Sequence, residues 1–332
     1  MKLKKIATQM ILALPLATLA FSSAAMEKVT LKLAHNLDTS HIVHQTWAQM
    51  AKDLETESGG KMKLRIYPGG QMGGPRETLE LLQNGALDMT KAMANELEAF
   101  TPAYSIFSLP YLFKSDAHFK AVIHGAVGKE MMEEIKQKGF FPVAAYVGGT
   151  RSFYAKKAIH SPADMKGMKI RVITTPTTIK FIELLGASPV SIPFGEVYTA
   201  LQQGVIDGAE NNEPSYVQTR HVEVAKFYSD NQHSAVPDYL IVSNKAWARL
   251  SDEHKTVLEK VLRKSEQNQM KAWDELVLES KKEAEKTGAT FIEVDKEPFR
   301  AALRPLYDEF KNDPARGPWI TKVEEVAKEI TQ

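Results

Sequence analysis

The stretch "KIRVITTPTTIKFIELLGASPVSIPFGEVYTALQQGVIDGAE" (residues 169–210) decides the fold. "KIRVITT" is rich in β-branched residues and stops at Pro176, so it reads as a strand. Pro176 to Gly186 then reads as a helix, "ASPVSI" as a short strand, "FGEVYTALQQG" as a helix and "VIDGAE" as a third strand. Strand, helix, strand, helix and strand at this spacing call for an α/β sheet with parallel members. One residue sits awkwardly in that pattern. Met168, Ile170 and Val172 alternate on one face of the first strand, while Arg171 shares the other with Lys169 and Ile173. A permanent cation in a core strand is costly unless a carboxylate pairs with it. That carboxylate belongs either to the chain or to something that arrives from outside.

Upstream, the same alternation occurs once before. "VTLKLAH" (29–35) reads as a strand, His41 to Glu57 as a helix ending at Gly59-Gly60, and "KMKLRIYP" as a second strand. "GGQMGG" is a loop, Pro75 starts a helix carrying Leu79, Leu81 and Leu82, and "ALDMTKAM" is a third strand. A helix is expected from Asp116 to Lys138, followed by the strand "PVAAYVGG". Two α/β units imply two lobes. The chain is expected to cross between them near Gly148-Gly149 and again within 230–245, so each lobe is discontinuous. Residues 26–148 plus about 237–270 fall to lobe I, and 149–236 plus about 271–332 to lobe II.

From Ser251 to Thr287 there is neither Pro nor Gly, and Gly288 supplies a C-terminal stop. Ser251 can cap this segment, with Asp252 and Glu253 favourable in its first turn. Its apolar residues come in two patches, Val257 to Leu262 and Met270 to Val277, separated by the polar "RKSEQNQ". One long helix touching two cores and two helices with a bend both fit.

Lys2, Lys4 and Lys5, the apolar "MILALPLATLAF" and Ser23-Ala24-Ala25 make residues 1–25 a secretory signal peptide. Without it the chain carries 39 basic and 41 acidic residues, which offers nothing to attract nucleic acid. There are no cysteines, so disulfides and thiolate metal sites are excluded. The expected location is the periplasm.

No P-loop, G-x-S-x-G elbow or G-x-G-x-x-G fingerprint is present, so no cofactor is called for. His41 and His44 have a spacing that could hold a metal, but two histidines are more often capping or solvated, and no metal site is assigned. The notable polar residues cluster near strand ends: Arg151 after "VGGT", Arg171, and Asn211 with Asn212 after "VIDGAE". Ligands of open α/β sheets bind beyond such ends. Two arginines and an amide converging there make an anion site, and the planar guanidinium suits a carboxylate. Phe194, Tyr216, Tyr239 and Tyr146 can supply apolar walls, and Asn95, Glu96 and Glu98 stand beyond another strand end.

The blocks "ADMKGMKIRV" (163–172) and "GASPVSIPFGEVYTALQQGVIDGAENN" (186–212) resemble the solute-binding proteins of TRAP transporters, the tripartite ATP-independent periplasmic family. "GGKMKLRIYPGGQMGG", "FSLPYLF" and "YLIVSNKAWARLS" extend the resemblance over nearly the whole exported chain. It implies a two-lobed α/β clamshell braced by a long helix, which captures a solute in its cleft and hands it to an integral-membrane permease. The family's carboxylate-binding arginine falls on Arg171, its second arginine on Arg151, its amide on Asn211 and its wall aromatic on Phe194. His35 and Asn36 match N-terminal contact positions, and Glu77 follows the "QMGG" turn where some members make a polar contact. Sialic-acid binders carry "AES" where this chain has "AMA" (92–94), so Met93 replaces an acidic ligand and argues against sialate. The segments around His35 and "VPDYLIVS" look more like sugar-acid binders, with Asp238 placed to take sugar hydroxyls. The expected ligand is a hexuronate such as D-glucuronate or D-galacturonate. A C4-dicarboxylate, a keto acid or an aldonate also suits the two arginines. A periplasmic sugar-acid enzyme using Glu77 or His35 as base, and a sensor presenting its closed form to a receptor, are the rival classes.

Overall fold

The computed structural model describes residues 26–330, so the signal peptide read at 1–25 lies outside the described residues. The chain opens with β1 (Val29–Ala34), α1 (Ile42–Glu57), β2 (Met62–Tyr67), α2 (Pro75–Asn84) and β3 (Met89–Met93). His41 caps α1, its ring nitrogen accepting the Val43 N–H, while Gly85 ends α2 at φ +82°, a conformation open to glycine. After two 3-10 turns (Ala94–Ala99 and Pro102–Ser108) come α3 (Asp116–His124), α4 (Ala126–Glu134) and β4 (Phe140–Tyr146). The single helix expected over 116–138 is therefore broken. Gly125 leaves the helical region at φ −87°, ψ −165° and serves as the cap between the two pieces. A Cβ there would meet the Ala121 carbonyl oxygen at 2.3 Å.

The second unit holds β5 (Thr150–Ala155), β6 (Lys169–Val172), α5 (Pro176–Leu184), β7 (Ser188–Ser191), α6 (Val197–Gln203), β8 (Gly208–Asn211), α7 (Glu213–Gln218), α8 (His221–Val224) and β9 (Phe227–Ala235). β6 is shorter than the "KIRVITT" run because Thr175 is already committed as the cap of α5, accepting the Thr178 N–H. The chain then returns through β10 (Asp238–Ser243) and α9 (Asn244–Ala248) to the long α10 (Asp252–Lys286), and closes with β11 (Thr290–Glu293), α11 (Glu297–Asn312) and α12 (Gly317–Ile330).

Two sheets result, ordered β2-β1-β3-β10-β4 and β11-β9-β5-β8-β6-β7. The units β2-β1-β3 and β8-β6-β7 are parallel, as the alternating patterns required, while β10 enters the first sheet antiparallel between β3 and β4. Three connections run between the sheets: residues 147–149, residues 236–237, and α10. They meet closely. A Cβ on Gly148 would lie 2.5 Å from the Val236 carbonyl oxygen, and one on Gly149 would lie 2.9 Å from Trp273 Nε1 of α10.

α10 is one uninterrupted helix, capped by Ser251 as expected. Its polar middle has a packing reason. β4 is the edge of the first sheet, and its unpaired backbone groups need partners. Glu266 accepts the Ala145 N–H at 2.6 Å, and Gln269 accepts from Val147 N at 3.1 Å while donating to Val147 O at 2.7 Å. Leu258, Val261 and Leu262 are buried on one side of this seam, Trp273 and Ala284 on the other. The C-terminal α12 lies against α3, where His118 Nε2 stands 2.8 Å from Val323 O. Among the described residues no helix is long and apolar enough to cross a membrane.

Candidate functional site

The cavity between the sheets is walled by residues within strands and just beyond their ends on both sides. From the first sheet come Asn36, Leu37, Lys91, Met93, Glu96 and Asp238; from the second, Arg151, Arg171, Phe194 and Asn211; Gly148, Val236 and Trp273 form its floor at the crossings. Arg151 is the second residue of strand β5 and does not stand at the end of the preceding strand. Because β5 runs antiparallel to β8, with Ser152 opposite Asn211, that position still lies beside the carboxyl end of β8.

The two arginines differ in their partners. Arg151 is buried and forked onto Glu210: Nε donates to Oε2 at 2.5 Å and Nη2 to Oε1 at 2.9 Å. Nη2 also donates to the Glu210 backbone oxygen and Nη1 to Asn211 Oδ1, both at 2.9 Å. Burial opposes the charge on each partner, but their attraction wins, raising the arginine's pKa and holding the Glu210 carboxyl at about 2. Arg171 has no such partner. Its Nε donates to Ile192 O at 3.1 Å, its guanidinium lies 5.5 Å from the Phe194 ring centre, and among the described residues no carboxylate stands at ion-pair distance from it. Burial lowers its pKa. Arg171 is 7% exposed, lines the cavity as a desolvated cation, and among the described residues its Nη groups have no hydrogen-bond partner.

Facing it, Lys91 and Asp238 form an ion pair at 2.8 Å between adjacent strands β3 and β10. Glu96 accepts the Met93 N–H at 2.7 Å, and burial raises its pKa. His41 lines the mouth of the cavity; burial lowers its imidazole to about 4, leaving it neutral. The site thus offers one unneutralised cation on one wall and a ring of paired donors and acceptors on the other. That arrangement suits an anion with several hydroxyls.

Of the residues expected from sequence, Arg171, Arg151, Asn211, Phe194 and Asp238 come together around this cavity. Tyr216, His35, Asn95 and Glu77 do not line it, and neither do Tyr146, Tyr239 and Glu98. Tyr216 is buried in the second sheet's core, donating from its hydroxyl to Ala225 O at 2.5 Å. His35 is buried behind the wall, where Nδ1 accepts the Leu37 N–H and Nε2 stands 3.0 Å from His44 Nδ1; it shapes the loop that carries Asn36 and Leu37. Asn95 is buried beside Glu96, which takes the lining position instead. Glu77 is exposed in the first turn of α2, folded over Gly73 and Gly74. His44 is turned to His35, so the pair His41 and His44 shares no site, and among the described residues no three acidic or histidine groups are placed to hold a metal. Lys91, His41, Ser215 and Trp273 line the cavity without having been assigned to it. Lys91 carried the same signal as Arg171, a charge set within an apolar strand.

Residues 33–313 match the family model DctP, bacterial extracellular solute-binding protein, family 7. A TRAP periplasmic solute-binding protein from Xanthobacter autotrophicus, solved with β-D-galacturonate, is 35% identical with a TM-score of 0.85, over 89% of this chain and 99% of that one. Another from Anaerococcus prevotii, solved with D-glucuronate, is 34% identical with a TM-score of 0.87, over 91% and 99%. The sialic acid-binding periplasmic protein SiaP of Vibrio cholerae is 30% identical over 89% of this chain and 92% of its own length. The chain, with its two-sheet clamshell and bracing helix, belongs to the bacterial extracellular solute-binding proteins of family 7, the periplasmic solute-binding proteins of TRAP transporters.

Proposed function

We propose that this chain captures a hexuronate, D-glucuronate or D-galacturonate, and that Arg171 binds its carboxylate. The observation that carries the reading is the unpaired, buried guanidinium of Arg171 in the interlobe cavity. A planar carboxylate matches its two free Nη groups bidentately. Asn211, held by Arg151, stands beside it, while Lys91, Asp238, Glu96 and His41 across the cleft are available to the ring hydroxyls. The uronates bound to two proteins about a third identical to this one support the same ligand class. Met93 on the cavity wall, in place of an acidic group, disfavours sialate.

Capture involves no bond making. The division proposed is lobe I, 26–148 with 237–270, closing on lobe II, 149–236 with 271–332, about the three crossings, a hinge motion of a known kind. Charge-assisted hydrogen bonds contribute about 1.5–3 kcal/mol each, and micromolar affinity needs about −8 kcal/mol, so a forked carboxylate with a few hydroxyl contacts is adequate. The closed form then delivers its ligand to the membrane permease of the transporter, after export directed by residues 1–25.

A thermal-shift screen of the chain from Met26 onward, against uronates, aldonates, C4-dicarboxylates, keto acids and sialate, tests the reading. A shift confined to hexuronates and lost in Arg171→Ala is expected. A shift that survives the substitution removes Arg171 from the site, and a preference for another acid removes the uronate. Recovery of the acid unchanged after incubation is expected of a binder; a converted product would make the protein an enzyme.

A further inference from the structure

The first turn of α1 is capped from the opposite lobe. Helix N-termini leave N–H groups without intrahelical partners. His41 satisfies Val43 N–H through Nδ1 at 3.2 Å. The neighbouring Ile42 N–H donates to Oε1 of Gln218 at 3.3 Å, and Gln218 is the last residue of α7. His41 makes a second crossing. With Nδ1 accepting, the ring proton sits on Nε2, which faces Ser215 Oγ at 3.4 Å. α1 follows a strand of the first sheet and α7 a strand of the second, so both contacts join the lobes.

Their relation to the cavity differs. His41 and Ser215 line it, whereas Gln218 faces an outer recess beyond Phe194, beside Asp38, Tyr198 and Arg220. Gln218 can therefore be changed without removing a side chain from the cavity wall, although its recess shares Phe194 and His41 with the cavity. The far end of α7 is anchored: Asn212 accepts the Ser215 N–H at 2.8 Å and donates to Gly148 O at 2.7 Å on the crossing. A helix tied at one end to the hinge and at the other to the facing lobe is well placed to hold closure.

We infer that Gln218 is a closure latch, a positioning residue that caps α1 across the cleft and sets how long the ligand stays without touching it. The inference rests on the capture reading above. A contact made only on closure appears in dissociation, while the encounter rate is set by the open form.

Stopped-flow binding of D-glucuronate and D-galacturonate to the wild type, Gln218→Ala and Gln218→Glu tests it. Alanine removes the acceptor and is expected to speed dissociation by about 2- to 10-fold with kon unchanged. Glutamate keeps the reach and places a negative charge on the α1 N-terminus, slowing dissociation by about 2- to 5-fold. A residue with only a local structural role would not move the rate in opposite directions. Lobe separation is read independently with a fluorophore pair on cysteines replacing exposed Lys63 and Glu183, in a chain with no cysteine of its own. Glutamate is expected to raise the closed fraction and alanine to lower it. Equal dissociation rates in all three proteins, or faster dissociation with glutamate, overturn the latch and leave capture intact. If the wild type binds neither acid, the uronate reading fails, and an unliganded lobe separation unchanged in both variants then overturns the latch on its own.

Discussion

Arg151 and Arg171 flank the same strand, β8, yet only Arg151 has a carboxylate of its own, supplied by Glu210 of that strand. The pair looks symmetric in sequence and is not. Arg151 stiffens the cleft wall and orients Asn211, while Arg171 carries a desolvated charge into the cavity.

Removing that charge should separate affinity from stability. Arg171→Met keeps much of the side-chain volume and deletes two charge-assisted hydrogen bonds, each about 1.5–3 kcal/mol, so affinity for a uronate should fall by about 10²- to 10⁴-fold. The unliganded Tm should hold or rise, because a buried cation without a partner is gone. Calorimetry with differential scanning on the same samples checks both; a lowered unliganded Tm with affinity intact would make Arg171 a structural residue.

Breaking the other pair should do the reverse. Glu210→Gln leaves Arg151 buried without its counter-charge, a change that costs about 3–5 kcal/mol in comparable pairs. Burial works against the Glu210 carboxylate, but Arg151 and His233 outweigh it and hold its pKa at about 2, below the ordinary 4.5. The wild type thus gains stability from this group that is complete above about pH 4.5 and disappears as pH falls toward 2. The Tm difference between wild type and Glu210→Gln should shrink over that window, and a difference that stays constant would refute the assignment.

Glu266 should show the opposite sign. Burial beside β4 raises its carboxyl to about 7, with the Ala145 N–H and Arg263 offsetting only part of that. Between pH 4.5 and 7 the folded state binds more protons than the unfolded one, so this contribution is full below 4.5 and is lost as pH rises through 7. Glu266→Gln keeps an acceptor for Ala145 and should raise Tm at pH 8 while leaving it unchanged at pH 4. Equal effects at both pH values would mean that the charge is not what matters there.

Gly148 should tolerate no side chain. An added methyl would press on the Val236 carbonyl oxygen at 2.5 Å, forcing apart two of the connections between the sheets. Gly148→Ala is expected to lower stability by about 1–3 kcal/mol, the usual cost of overpacking. Urea denaturation measures it, and an unchanged midpoint would show that the crossings are slack.

By itself the sequence determined everything written in short-range patterns. Alternation over β1 to β3 and over β6 to β8, the Gly288 stop, Pro75 and the Ser251 cap are each encoded within a few residues, and each is present in the fold. Gly125 breaks the one helix expected over 116–138 into α3 and α4, a stop that is also local in the sequence. Only the tertiary structure decided which charges are satisfied from within. β5 folds back antiparallel on β8 and so gives Glu210 to Arg151, and β10 inserts beside β3 and so gives Asp238 to Lys91. The same packing turned Tyr216 and His35 away from the cavity and brought Lys91, His41 and Trp273 to it. Strand order and direction join residues far apart in the chain, and nothing local to Arg171 announces that, of the two arginines, it is the one left without a carboxylate partner among the described residues.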